Sequence, residues 1–298
     1  MPFTPCTASK LLVNTDELAS TDMSERELMK AVADTMRTLP RRMGVSSIHI
    51  NFMTDDEIGL FAERGFIKRT GMQYHWTNER YTTFDDFLAN MKQSRRKTIR
   101  QERKKVNSNL DVRRLTGDDL KSPALWDAFF EFYGNTVDAY YAQAYLTREF
   151  FEIVSTTMAN KILLVAAYDS PLAPDDMPIA AALNFIGSDC LYGRNWGCRA
   201  DVNFSGLHFE LCYYQAQEFA IERSLARVEA GAQGEETKLP RGYLPALTFS
   251  AHVFDHPDMS AAIHNYCRRE DAMVRQRERL LLQQVSPYKR HIKSGFDM

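Results

Sequence analysis

The chain has 298 residues, with 37 Lys+Arg against 39 Asp+Glu for a net charge of -2, and 44% apolar residues. With 14 glycines and 11 prolines it is neither collagen-like nor low-complexity, and no apolar run reaches the ~18 residues of a membrane span. The N-terminus has no signal-peptide pattern. The five cysteines include no CxxC spacing, which fits a reducing compartment, cytoplasm or organelle interior, rather than a disulfide framework.

In chain order, Ser24-Glu-Arg-Glu27 is a capping box that opens an amphipathic helix to about Leu39. After Gly44, residues 45–52 read as a strand. Thr54-Asp-Asp-Glu57 is a second capping box, for a short helix stopped by Gly65, and residues 66–76 are the next strand. Thr83 caps a helix whose apolar face (Phe84, Phe87, Leu88, Met91) thins beyond Met91 to Ile99 and Val106. Residues 92–114 carry ten basic side chains against two acidic ones, a local charge of +8. Such a helix lies in solvent or against a polyanion.

An aromatic helix follows over 124–141, then one capped by Thr147. Residues 162–168 are a continuous apolar strand, 169–177 a loop, and 178–187 and 189–197 a hairpin turned at Gly187-Ser-Asp189. A helix spans 207–223, with Phe209, Cys212, Tyr213, Ala216, Phe219 and Ala220 on one apolar face. Strands at 226–231 and 248–254 flank a Gly/Pro-marked loop, and a charged helix from about 259 to 284 precedes a disordered tail.

No dinucleotide, P-loop, zincin or nucleophile-elbow motif is present. His252 and His256 straddle a strand end and a proline, so they make a poor metal pair, and no metal is expected. Cys190, Cys198 and Cys212 read as buried. The polar loop 231–241 holds Gln233, Glu235, Lys238 and Arg241 between glycines, at a strand end where α/β sheets place ligands; a solvated turn is the alternative. Glu229 faces opposite to Val228 and Ala230, toward a cleft or into an ion pair with Arg194 or Arg241. Arg194 and Trp196 share one strand face, with Asn195 opposite.

The runs LYGRNWGC, LHFELCYYQAQEFAIERSLARVEAGAQGE and KLPRGYLPALTFSAH resemble the FemAB-like family of N-acyltransferases, kin of the Fem peptidyltransferases and the Gcn5-related acetyltransferases (GNAT). GFIKRTGMQYHW, FDDFLANMKQSRRKTIRQERKKV and YLTREFF are further landmarks, so the resemblance covers Pro2 to about Glu270. One departure is clear: the family's GEHK is here Gly234-Glu-Glu-Thr-Lys238.

The resemblance implies an α/β mixed-sheet, acyl-CoA N-acyltransferase (GNAT-like) fold in a Fem-like double lobe. The expected segments are a first lobe at 1–82 lacking its opening strands, a basic connecting helix at 83–115, a second lobe at 116–258, and a C-terminal helix and tail at 259–298. It implies direct displacement by an amine, from a small molecule or peptide, on acyl-CoA or aminoacyl-tRNA as co-substrate, with no tightly bound cofactor. Glu229 or Glu235 would accept the proton or position the amine. Arg194, Trp196, His208 and Glu210 would line the cleft. Lys238 and Arg241 would hold phosphate or carboxylate, with Gln233 and Tyr243 beside them. Arg95, Arg96, Lys97 and Arg100 would meet a polyanion such as tRNA. A non-catalytic binding or scaffold module is the alternative that the altered loop and shortened lobe imply.

Overall fold

The computed structural model describes residues 5–169, 177–231 and 234–289. Its elements run α1 (Thr15–Leu18), α2 (Glu25–Met43), β1 (Ser47–Met53), α3 (Asp55–Glu63), β2 (Ile67–Thr77), α4 (Phe84–Asn90), α5 (Gln93–Asn107), β3 (Asp111–Leu115), α6 (Pro123–Ala139), α7 (Arg148–Thr157), β4 (Ile162–Tyr168), β5 (Ala180–Ile186), β6 (Cys190–Cys198), α8 (Leu207–Phe209), a π-turn (Glu210–Tyr214), α9 (Gln215–Glu222), β7 (Arg227–Glu229), α10 (Glu235–Lys238), β8 (Leu244–Phe254) and α11 (Pro257–Leu280). The chain divides into two compact units: residues 1–73 with 245–285, and residues 74–244 with 286–298. These are not the consecutive segments expected from the sequence. Strand β8 and helix α11 return to the first unit, and no boundary falls at 82, 115 or 258.

In the first unit β1 pairs antiparallel with β8, from Ser47 opposite Phe254 to Met53 opposite Phe249, with a bulge at Phe52. Both predicted capping boxes form, at Ser24 and at Thr54. They start α2 and α3, whose Ala33, Ile58 and Phe61 close a core with Ile50, Met53, Phe249 and Ala251. Helix α11 is tied to β2 by a bidentate Arg69–Glu270 pair and a Thr70–Asp271 hydrogen bond.

In the second unit the strand order is β2-β7-β6-β5-β4-β3. Every pairing is antiparallel except β6 with β7, which is parallel, so the sheet is mixed as expected. β4 is buried at every position, which explains its unbroken apolar sequence. Helix α6 packs Phe129, Phe132 and Tyr133 into the core beneath it. It approaches β6 so closely that a Cβ on Gly197 would lie 2.1 Å from the Phe132 carbonyl oxygen. Thr136 and Asn135 donate to the Trp196 and Cys198 carbonyls, fixing β6 from that side.

Three expectations need correction. The basic segment is two helices, because buried Met91 adopts an extended backbone, pairs with Tyr288, and leaves the Lys92 N–H to donate to the Pro287 carbonyl. Its end is not helical: Asp111–Leu115 form β3, an edge strand on β4, whose half-buried polar residues gave no strand pattern. The helix over 207–222 is interrupted by the π-turn, which re-aims its middle residues. The 169–177 loop and the C-terminal tail lie mostly outside the described residues.

Candidate functional site

Strands β6 and β7 pair only from Cys190, Leu191 and Tyr192 to Arg227, Val228 and Glu229. Gly193 marks the parting point: a side chain there would press on the Ala230 Cα, the Glu229 carbonyl and Asn184 Oδ1, each 3.4 Å from its Cβ. Beyond it the strands separate, and a cavity of about 700 Å³ opens between them. On the other edge of β6, Leu183 opposes Asn195 but Asn184 opposes Gly193, so Arg194 is the extra residue of a β-bulge. The bulge resets the alternation, and Arg194, Asn195 and Trp196 all reach the cavity wall.

The opposite wall comes from the π-turn region and the loop after β7. His208 stands edge-on to Trp196 and Tyr213, with ring centroids 5.1 and 5.2 Å away. Burial, with Arg241 and Lys238 nearby, lowers its pKa to about 4, so the imidazole is neutral at pH 7. The Tyr213 hydroxyl lies 3.3 Å from Thr237 Oγ1, which donates to the Gly234 carbonyl. Burial pushes the phenol up to about 12 and keeps it protonated. Burial also raises the pKa of the Cys212 thiol, so it is no nucleophile. Gly231 and Gly234, both on the wall, adopt positive φ values that favour glycine.

Of the predicted site residues, Arg194, Trp196 and His208 line this cavity. The others do not. Glu210 is fully buried and accepts from Arg103, Asn107 and Gln215. Glu229 pairs with Arg227 at 3.2 Å, rather than with Arg194 or Arg241, and has His75 at 3.9 Å. Glu235 is the half-buried first residue of α10. The Lys238 ammonium is 1% exposed and donates to the Gly231 carbonyl. Arg241 lies over the Phe209 ring, at 3.3 Å from its centroid, and donates to Glu102 and to the Thr237 carbonyl. Tyr243 is buried, its hydroxyl 3.4 Å from the Tyr213 carbonyl. Gln233 lies outside the described residues.

On α5, Lys97 and Arg100 are exposed, Arg100 pairing with Asp85, while Arg95 and Arg96 are half-buried. A second cavity of about 440 Å³ lies here, but its Arg100, Arg103, Asp85 and Glu218 satisfy one another. His252 hydrogen-bonds His49 and shares nothing with His256, the N-cap of α11.

Sequence reasoning missed Tyr140, Asn184, Asn195, Cys212, Tyr213 and Thr237 on the wall. Asn195 was hidden by the bulge, which strict alternation cannot foresee. Cys212 and Tyr213 were assigned to an apolar helix face, and the π-turn moves both to the cavity.

Among the described residues no helix is long and apolar enough to cross a membrane. No curated protein matches the sequence. Two solved structures share the fold over most of their length. L-PGS from Bacillus licheniformis is 8% identical, with a TM-score of 0.56 over 79% of this chain and 77% of that one. FemX is 11% identical, with a TM-score of 0.55 over 80% of each chain. The arrangement is thus a mixed α/β fold shared with FemX, in line with the fold that the sequence resemblance implied. The profile of the FemAB-like family, described by peptidoglycan biosynthesis and recognition, matches residues 1–290. With that match spanning nearly the whole sequence, and a parallel strand pair opening into a lined cavity, the chain belongs to the FemAB-like family.

Proposed function

We propose that the protein is an N-acyltransferase that moves an acyl or aminoacyl group from acyl-CoA or aminoacyl-tRNA to an amine by direct displacement. The observation that carries this reading is the cavity at the parting of β6 and β7, walled by neutral hydrogen-bonding groups and one arginine. The amine nitrogen attacks the carbonyl carbon, the C–S or C–O bond of the donor breaks, and the proton lost by the amine passes to the departing thiolate or alkoxide.

Neutral His208 accepts an N–H of the amine without presenting a competing cation, and so directs the nitrogen lone pair at the carbonyl. The Asn195 carboxamide, whose buried Oδ1 has no partner among the described residues, offers a second acceptor. The protonated Tyr213 phenol is the donor for the developing oxyanion or for the leaving group. This reading gives these roles to His208, Asn195 and Tyr213 rather than to Glu229 or Glu235, which are not among the residues lining the cavity. Lys238 and Arg241 contribute positive potential from behind the wall.

A donor screen by thermal shift tests the reading. A true donor at 100 times its dissociation constant stabilises the fold by about 2.7 kcal/mol. Acetyl-CoA is expected to act independently of α5. An aminoacyl-tRNA donor would engage Arg95, Arg96, Lys97 and Arg100, with an affinity that falls steeply with salt and a slope that flattens when Arg95, Arg96 and Lys97 are replaced by Ala. No shift with any CoA thioester or aminoacyl-tRNA would refute the proposal.

A further inference from the structure

Arg194 is the only formally charged side chain among the described residues that line the cavity. It forms no ion pair with a described carboxylate. Its guanidinium lies over the Tyr145 ring at 5.7 Å and donates to the Tyr145 hydroxyl, a neutral partner that is itself 65% exposed. Three nearby acids are engaged, Glu210 by Arg103, Glu229 by Arg227, and Glu102 by Arg241, while Glu235 and Glu236 of α10 stand beside the lining residues Gly234 and Thr237. Lys238 and Arg241 stand behind the wall and add to the positive potential felt at His208. The bulge in β6 is what brings Arg194 to this wall.

We propose that Arg194 is the specificity-determining anchor for an anionic group, a carboxylate or a phosphate, on the ligand that fills this cavity; the assignment rests on the acyl-transfer reading. The anion takes the place of the Tyr145 hydroxyl and accepts two guanidinium N–H bonds, the geometry arginine offers and lysine does not.

Titration calorimetry on the full chain tests it with two matched pairs: 4′-phosphopantetheine against uncharged pantetheine, and N-acetyl-trialanine against its C-terminal amide. At least one anionic member is expected to bind about tenfold tighter than its neutral counterpart. The pantetheine pair would identify phosphate as the anion and the peptide pair would identify carboxylate. Arg194→Gln should erase the preference. Arg194→Lys should restore part of it, and Tyr145→Phe should leave it intact. In turnover, Arg194→Gln should raise KM for the charged substrate about tenfold with kcat within twofold, a split that a merely structural role would not produce. No charged-over-neutral preference in the wild type, including no binding by either charged probe, or a preference that survives Arg194→Gln, overturns the proposal. Discrimination without transfer would refute the acyl-transfer reading alone, and transfer without discrimination would refute the role of Arg194 alone.

Discussion

Burying the Lys238 ammonium, with the Gly231 carbonyl as its hydrogen-bond acceptor and no described carboxylate paired with it, works against folding. Its pKa falls to about 8 from the ordinary 10.5, through burial. The unfolded chain therefore holds that proton more tightly between pH 8 and 10.5. Below pH 8 the penalty is fully present, and stability should recover as pH climbs through that window. Lys238→Met is expected to raise stability at pH 7 by roughly 1–3 kcal/mol, and by little near pH 10.5. Urea titrations of both proteins at the two pH values check this, and an equal gain at both would contradict it. At this scale the sequence was a partial guide. It marked Lys238, Arg241 and Glu229 as unusual, but their partners were set by tertiary packing: Phe209 and Glu102 for Arg241, and Arg227 for Glu229.

At the scale of elements, the +8 segment turns out to brace the site through part of its charge. Ile99 and Val106 of α5 are buried, Arg103 reaches the fully buried Glu210 and also Glu218, and Arg114 of β3 takes Glu218 and Glu222. This network lies under the π-turn that presents Cys212 and Tyr213. Arg103→Ala would leave Glu210 buried with only Asn107 and Gln215 as donors. A stability loss of about 3 kcal/mol is expected, measured by urea unfolding; Glu210→Gln introduced on top should recover part of it. Full additivity of the two changes would contradict the pairing. Helix starts were legible because capping is local, and the capping boxes at Ser24 and Thr54 and the N-cap at Thr83 all form. The break at Met91 and the strand at Asp111–Leu115 were not, because each depends on contacts distant in sequence, Tyr288 and β4, and the π-turn was not, because helical periodicity does not reveal one.

At the scale of the whole molecule, the family and the mixed α/β fold were readable from long contiguous runs. The division into units was not, since β8 and α11 join residues 1–73 across more than 170 intervening residues that form the second unit. The cavity was half legible. Its Arg194, Trp196 and His208 sit in recognisable runs, whereas Asn195 and Tyr213 depend on a bulge and a π-turn. The central claim is that the parting of β6 and β7 is where an amine meets an activated acyl group. It is tested most directly by the initial rate of acyl transfer from the donor that stabilises the fold, for the wild type and His208→Ala side by side. The account predicts turnover in the wild type and a loss of about 100-fold or more in kcat/KM for His208→Ala, with its melting transition retained. Equal rates in the two proteins would contradict it.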